Sequence, residues 1–179
     1  MMQHIYCTIA DTEYVFMVNQ VRDYINAFKK ERKFNRVLEV GSREVNGKIR
    51  DLFEETEYIG IDMIAGDGVD KVINGHDLES HFTEGEFDLV LCLETLEHDE
   101  EFWETVKGMK WVLKKGGWLI ITMPGTHHST HDWPGDYWRP MRDGFNKLFE
   151  DLVNVSTEYW ISSGSDQYPD GWMGRGQKI

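Results

Sequence analysis

The sequence predicts an α/β fold with a doubly wound, mostly parallel sheet of seven strands, helices on both faces, and an antiparallel hairpin at the C-terminal end. Helical and strand-like patterns alternate along the chain, which favours right-handed crossovers. Residues 87–93 and 118–123 are near-continuous apolar runs, as expected of central parallel strands covered on both faces. Strand-like residues 152–161 and 171–179 are joined by a short polar link, which favours antiparallel pairing.

The first half of the chain supplies three of the predicted strands. An apolar stripe at helical spacing, through Val18, Val21 and Ile25, predicts an opening helix. Residues 37–40 form a predicted strand that ends at Gly41, and residues 58–62 form the next. A second helix is predicted between them from four spaced apolar residues, and a short strand at 69–73 follows a glycine-rich turn. Those four apolar residues are Val45, Ile49, Leu52 and Phe53.

The second half contains a helix with clear end signals. Three acids at 99–101 load its first turn, and Lys114 and Lys115 precede two glycines at its predicted end. This arrangement suits the helix dipole and a left-handed cap. A loop over 125–140 is rich in His, Trp, Gly and Pro, and a short helix is predicted at 141–150. No linker or repeat interrupts the chain, so one domain over 1–179 is expected.

Composition excludes several classes of function. The net charge of −13 disfavours a nucleic-acid partner, because such proteins need Lys and Arg to displace counterions from phosphates. Two distant cysteines do not suggest a disulfide framework. The N-terminus lacks the pattern of a signal peptide, and no apolar run reaches the ~20 residues of a membrane helix. A cytoplasmic protein without a membrane partner is therefore expected, and its oligomeric state stays open.

The ends of the predicted strands hold the candidate ligand-binding residues, since open α/β sheets bind ligands there. Asp62 follows Gly41 by 21 residues, the expected position for an acid that holds ribose hydroxyls. Arg43 replaces the second glycine of G-x-G-x-x-G, and a loop with Glu39 and Glu44 suits a pyrophosphate poorly. Glu39 suits a cation such as an α-ammonium group. A nicotinamide-dependent oxidoreductase, which would share Asp62, remains an alternative.

Several segments together resemble the class I S-adenosylmethionine-dependent methyltransferases. Residues 37–47 with Asp62, then 73–78, 87–98 (FDLVLCLETLEH) and 112–125 (VLKKGGWLIITMPG), appear in that family's order and spacing. The resemblance is close over about residues 34–125. The tail is similar to the small-molecule "type 11" group of that family, in residues 131–139 and 174–178.

The resemblance implies a cofactor, S-adenosylmethionine, and a transfer of its methyl group to a small-molecule acceptor on oxygen, nitrogen or carbon. It places Glu39 and Gly41 against the methionine part of the cofactor, Asp62 on both ribose hydroxyls and Met63 on adenine. The other expected cofactor-binding residues are Ser42, Asn74, Gly75, His76, Leu93 and Glu94. A scaffold that binds the cofactor without turnover is a further alternative.

Histidines supply the candidates for a catalytic base. His98 follows the fourth predicted strand, where it could lie near the transferred methyl, or it could simply bond to backbone. His131 is a second candidate, with Asp132 placed to orient it. His127 and His128 are further candidates for a base in this loop. Together with His131 and Asp132 they also raise a zinc site as an alternative, but the segment has no cysteine and no helix to fix ligand spacing. We therefore predict no metal.

Overall fold

The computed structural model describes residues 7–45, 47–130, 135–161 and 169–179, with side chains from residue 17 onward in those ranges. Its helices are α1 (Cys7–Lys29), α2 (Leu78–His81), α3 (Phe102–Val112) and α4 (Arg142–Lys147), with 3-10 turns at Arg50–Phe53, Gly75–Asp77 and Leu96–His98. Its strands are β1 (Arg36–Val40), β2 (Glu57–Asp62), β3 (Lys71–Val72), β4 (Phe87–Leu93), β5 (Leu113–Pro124), β6 (Val153–Trp160) and β7 (Gly171–Gln177).

The described strands form one seven-stranded sheet in the order β3-β2-β1-β4-β5-β7-β6. The first five strands of this order pair in parallel. β7 pairs antiparallel with both β5 and β6, so the C-terminal hairpin occupies one edge of the sheet. The predicted fold class is therefore confirmed, including its mostly parallel character and its antiparallel end.

The central strands are buried on both faces, which explains their near-continuous apolar sequence. Leu89 and Leu91 of β4 pack in the cluster that α1 covers, whereas Val90 and Cys92 pack in the cluster under α2, α3 and α4. All four side chains are fully buried. Because successive strand residues face opposite sides, each face needs an apolar partner layer. Polar side chains are therefore left to the strand ends.

The second predicted helix is wrong. Residues 50–53 form only a 3-10 turn, and Val45, which was expected on the buried face, is 70% exposed. Ile49 and Phe53 are buried as expected. The preceding loop is held in a non-helical path because the Glu44 N–H donates to the carbonyl of Asp67 at 2.9 Å. This bond to a distant residue takes the place of a hydrogen bond within a helix.

The predicted end of α3 is also wrong. The helix stops at Val112, and Leu113 already begins β5, so Lys114 and Lys115 lie in a strand. Lys114 Nζ pairs with Asp88 Oδ1 at 2.7 Å instead of capping the helix. The other oxygen of Asp88 accepts the backbone N–H groups of Asn35 and Arg36. This cross-strand pairing outweighs the helix-end signal in the sequence.

The C-terminal elements pack on the sheet through aromatic side chains. Phe145 of α4 is fully buried and stacks on Trp172 of β7, with ring centroids 5.9 Å apart. Phe149 lies edge-on to Phe145 at 5.7 Å. A Cβ on Gly174 would lie 2.5 Å from the Phe149 ring, so this close approach requires a glycine. The predicted short helix thus forms part of the core.

Phe145→Ala should lower the free energy of unfolding by about 3–5 kcal/mol, because it removes a fully buried ring and leaves a cavity. Val155→Ala on the edge strand β6 is the control, since Val155 is 44% exposed and its truncation should stay within about 0.5 kcal/mol. Chemical denaturation measures both. Equal losses in the two variants would contradict the packing of α4 described above.

Candidate active site

One cavity of about 810 Å³ opens at the carboxyl ends of β1, β2 and β4. Its size suits an organic cofactor or ligand. All ten predicted cofactor-binding residues line it, and so does His98. Met17 and Val21 of α1 form part of its wall. The predicted catalytic residues His131 and Asp132 lie outside the described residues.

Glu39 and Asp62 face this cavity from neighbouring parallel strands. Glu39 is paired in register with Gly60, and Asp62 lies further along β2 at its carboxyl end. Both residues line the same cavity. A ligand that carries both a cation and a pair of hydroxyls could therefore contact them together.

The carboxyl of Glu39 is partly buried and held by a tyrosine. Tyr58 Oη donates to Glu39 Oε2 at 2.6 Å, and the guanidinium of Arg50 lies 4.9 Å from the Tyr58 ring centroid. Burial raises the pKa of Glu39 to about 7, although the bond from Tyr58 opposes this shift. A carboxyl whose pKa is raised on folding favours the fold below its unfolded pKa, and this contribution is lost as the pH rises through about 7.

The loop after β1 is compact and depends on glycine. The N–H groups of Gly41 and Ser42 both donate to the carbonyl of Ile61, at 2.8 and 2.9 Å. Gly41 has φ of 77°, and a Cβ there would overlap the hydroxyl of Thr95. Ser42 is buried, and its hydroxyl donates to the carbonyl of Gly68 at 3.1 Å. The loop therefore lies tightly against β2 and β4.

Arg43 stands where the pattern G-x-G-x-x-G has its second glycine, and its side chain is accommodated beside the glycine-rich turn between β2 and β3. The Arg43 side chain is exposed and passes beside Gly66, where a Cβ would lie 3.1 Å from Arg43 Cγ and Nε. A larger residue at 66 would force this side chain to move. The glycine-rich turn that the sequence placed between β2 and β3 thus supports the first loop.

Past β2, the cavity has an apolar surface. Asp62 Oδ1 accepts the N–H of Ile64 at 2.9 Å, which fixes the turn. Met63 lines the cavity and is 59% exposed. An exposed, polarisable thioether at a cavity wall offers a surface for a flat ring.

The turn after β3 is braced by the start of α3. Asn74 Oδ1 accepts the N–H of His76 at 3.0 Å, and His76 Nε2 lies 2.9 Å from Asp99 Oδ1. Gly75 sits against Thr105, whose Oγ1 would lie 2.6 Å from a Cβ at that position. The backbone of this turn and the His76 ring are thereby held at the edge of the cavity.

The end of β4 carries two acids, of which the sequence analysis found only one. Glu94 has φ of 48°, an unusual backbone conformation for a residue other than glycine. Its N–H donates to Thr122 at both the carbonyl and the hydroxyl, at 3.2 and 3.1 Å. Glu97, which was missed, is fully buried and also lines the cavity. No local pattern signalled it, because its enclosure depends on residues 135–138, which are distant in sequence.

Residues 135–138 cover this end of the cavity. The carbonyl of Gly135 accepts a hydrogen bond from His98 Nδ1. The Tyr137 N–H donates to the carbonyl of Glu97 at 2.8 Å, and Trp138 Nε1 donates to that of Asp99 at 2.9 Å. His98 is thus bonded to backbone, as one interpretation of the sequence held, and it lines the cavity as the other required.

His127 and His128, in the same loop, have different surroundings. His127 Nδ1 is 3.0 Å from Asp170 Oδ1, whereas His128 lines the cavity. Within the part of the chain that the structure describes, no three His, Cys, Asp or Glu side chains form a group that could hold a metal ion.

A family model described as "Methyltransferase domain" matches residues 13–151, which is most of the chain. The chain belongs to this methyltransferase family. This match favours the methyltransferase interpretation of the sequence over the nicotinamide-dependent alternative. A search of curated protein sequences finds no significant match. Among the described residues, no helix is long and apolar enough to cross a lipid bilayer.

Solved structures share the fold at low sequence identity. A SAM-dependent methyltransferase from Archaeoglobus fulgidus is 17% identical with a TM-score of 0.68, and 92% of this methyltransferase and 94% of that chain are covered. A possible histamine N-methyltransferase from Thermotoga maritima is 15% identical with a TM-score of 0.60, at 93% and 89% coverage. Haemonchus contortus phosphoethanolamine N-methyltransferase 2, in complex with S-adenosyl-L-methionine, is 13% identical with a TM-score of 0.63. This match covers 90% of the present chain and 53% of the Haemonchus contortus chain.

Gly41→Ala should destabilise the methyltransferase more than Gly116→Ala. Both glycines have φ of 77°, so both variants bear the same backbone strain. A methyl at 116 meets nothing closer than 4.0 Å, whereas at 41 it collides with Thr95. The collision should add about 1–3 kcal/mol to the loss in unfolding free energy. Urea denaturation of both variants measures this, and equal losses would show that the loop is looser than described.

Proposed function

We propose that this methyltransferase transfers the methyl group of S-adenosylmethionine to a small-molecule acceptor, with the cofactor held along the ends of β1, β2 and β3. The observation that carries the proposal is the convergence of Glu39 and Asp62 on one open cavity. A carboxylate pairs with an ammonium, and a second carboxylate accepts two hydrogen bonds from a diol. S-adenosylmethionine carries both groups.

The methionine end of the cofactor would lie at Glu39 and the loop at Gly41. Tyr58 orients the Glu39 carboxyl toward the α-ammonium, because its hydroxyl donates to one carboxyl oxygen. The absence of a side chain at Gly41 lets a ligand approach the backbone closely. Asp62 would bind both ribose hydroxyls.

The adenine end would lie between Met63 and the turn at residues 74–76. Met63 supplies an exposed apolar surface for the ring. Asn74 would face the adenine amino group, with the Gly75–His76 backbone beside the ring. The bond between His76 and Asp99 keeps this turn in place against α3.

The acceptor would enter at the end of β4, beside Leu93, Glu94 and His98. The bound cofactor supplies a methyl group already activated on a sulfonium, so the chain mainly has to align the nucleophile. The bond from His98 to Gly135 fixes the ring, and Nε2 is then the nitrogen able to accept a proton. The cover formed by residues 135–138 and the net charge of −13 favour a small molecule over a polyanion.

Asp62→Ala should weaken S-adenosylmethionine binding by about 10- to 100-fold, because charge-assisted bonds to the ribose are lost. The matched control is Asp67→Ala, since Asp67 is an exposed acid on the neighbouring turn and does not line the cavity. Titration calorimetry with the wild type and both variants measures the affinities. Wild-type protein that binds neither S-adenosylmethionine nor S-adenosylhomocysteine would remove the proposal, and an unchanged Asp62→Ala affinity would remove the ribose assignment.

Cofactor affinity should rise about fivefold between pH 6 and pH 7, because the ammonium binds the ionised form of Glu39. The pKa of Glu39 is raised by burial to about 7, so only roughly a tenth of the protein has this carboxylate at pH 6, against about half at pH 7. Calorimetry at the two pH values tests this. Glu39→Gln should bind more weakly and lose most of the pH dependence; a variant that keeps the full dependence would assign it to another group.

A further inference from the structure

The acceptor end of the cavity contains carboxylate oxygens without hydrogen-bond partners. Glu97 is 0% exposed, and neither of its carboxyl oxygens has a partner among the described residues. Glu94 Oε1 is likewise buried and unpartnered. Both residues line the cavity. A buried polar group without a partner costs free energy, so such groups in a cavity wall are candidates for contacts with a ligand.

The nearest guanidinium does not supply the missing bonds. Arg139 Nη2 donates to Asp136 Oδ2 at 2.6 Å, and Nη1 donates to the other oxygen of Asp136. The same two nitrogens also donate to the carbonyls of Trp138 and Ser129, at 3.0 and 3.2 Å. Arg139 therefore acts on Glu94 and Glu97 only through its charge.

His98 does not satisfy Glu97 either. The ring donates from Nδ1 to the carbonyl of Gly135, so in the neutral imidazole Nε2 is an acceptor. This nitrogen lies 3.6 Å from Glu97 Oε1. This distance is longer than a hydrogen bond, so His98 does not supply a bond to Glu97 Oε1.

The charges at this end of the cavity do not balance. Glu94, Glu97 and Asp136 are three carboxyls, and Arg139 is the guanidinium that acts on them. Burial raises the pKa of Glu94 to about 7, and burial together with the charge of Glu94 raises the pKa of Glu97 well above its usual range. An incoming cation would remove this repulsion.

We propose that the methyl acceptor is a primary or secondary amine, bound through its nitrogen by Glu94 and Glu97 and methylated on that nitrogen. This inference rests on the proposed function, because it takes the β1–β3 end of the cavity as the cofactor site. Glu94 stands at the end of β4, which pairs directly with β1, so its carboxyl lies next to that site. A protonated amine offers two or three N–H donors, which matches the unpartnered oxygens.

The chemistry balances with the groups present. The acceptor arrives as an ammonium and passes one proton to a carboxylate of the pair, which leaves a nitrogen lone pair. That lone pair forms the new N–C bond to the methyl carbon while the C–S bond breaks. The electron pair of the broken C–S bond stays on sulfur. The products are an N-methylammonium and S-adenosylhomocysteine, and the carboxyl then releases its proton to water.

The test compares matched amines and alcohols, because the two share a carbon frame and differ in the charged nitrogen. The probes are hexylamine and hexanol, phenethylamine and phenethyl alcohol, and tryptamine and tryptophol. Formation of S-adenosylhomocysteine from S-adenosylmethionine is measured for the wild type, for Glu97→Gln and for Glu104→Gln. Glu104 is the control, since it is an exposed acid on α3 outside the cavity. Calorimetry with S-adenosylmethionine accompanies each protein.

We expect at least one amine to react about tenfold or more faster than its alcohol. Glu97→Gln should lower that rate about a hundredfold while keeping the affinity for S-adenosylmethionine, and Glu104→Gln should match the wild type. The proposal is overturned if no amine exceeds its alcohol, or if Glu97→Gln retains the preference. Either result overturns only the amine proposal if the wild type still binds S-adenosylmethionine. If the wild type does not bind S-adenosylmethionine, the proposed function itself is overturned.

Discussion

The parallel register of β1 with β2 and β4 determines where every polar group of the cavity lies. Because these strands are covered by helices on both faces, their interiors admit only apolar side chains. The polar side chains that line the cavity therefore stand at or near the carboxyl ends of these strands. Parallel pairing brings those ends to one edge, so Glu39, Asp62 and Glu94 meet without being close in sequence.

The same geometry explains why the carboxyls of the cavity have unusual acidities. Glu39 and Glu94 lie where the apolar layers end, so water reaches them poorly, and burial raises both pKa values to about 7. Tyr58 partly offsets the cost of burying the Glu39 carboxylate, and Thr122 does the same for Glu94. The free protein thus retains unfavourable electrostatic energy at two points, which a ligand with positive charge at the matching points would relieve.

The sequence was sufficient for the sheet and for most of the cavity because both follow from local patterns. Continuous apolar runs identify β4 and β5, and residues at the ends of β1, β2 and β4 line the cavity. The helix predicted through Val45 is not formed for a non-local reason, since a backbone bond from Glu44 to Asp67 holds the loop in a non-helical path. The helix end at Lys114 failed similarly, through its pairing with Asp88 on the adjacent strand.

Glu97 shows why the acceptor end was harder to predict than the cofactor end. Its sequence neighbourhood, an acid in a short turn after a strand, is equally typical of a solvated surface. Its burial arises because residues 135–138 return over the turn, and the Tyr137 N–H then bonds to the Glu97 carbonyl. A carboxylate enclosed by a segment so distant in sequence carries a desolvation cost that no local pattern reveals. Under the proposed function, the residues that would bind the cofactor stand at strand ends, whereas those that would bind the acceptor are enclosed only when a later loop closes over them.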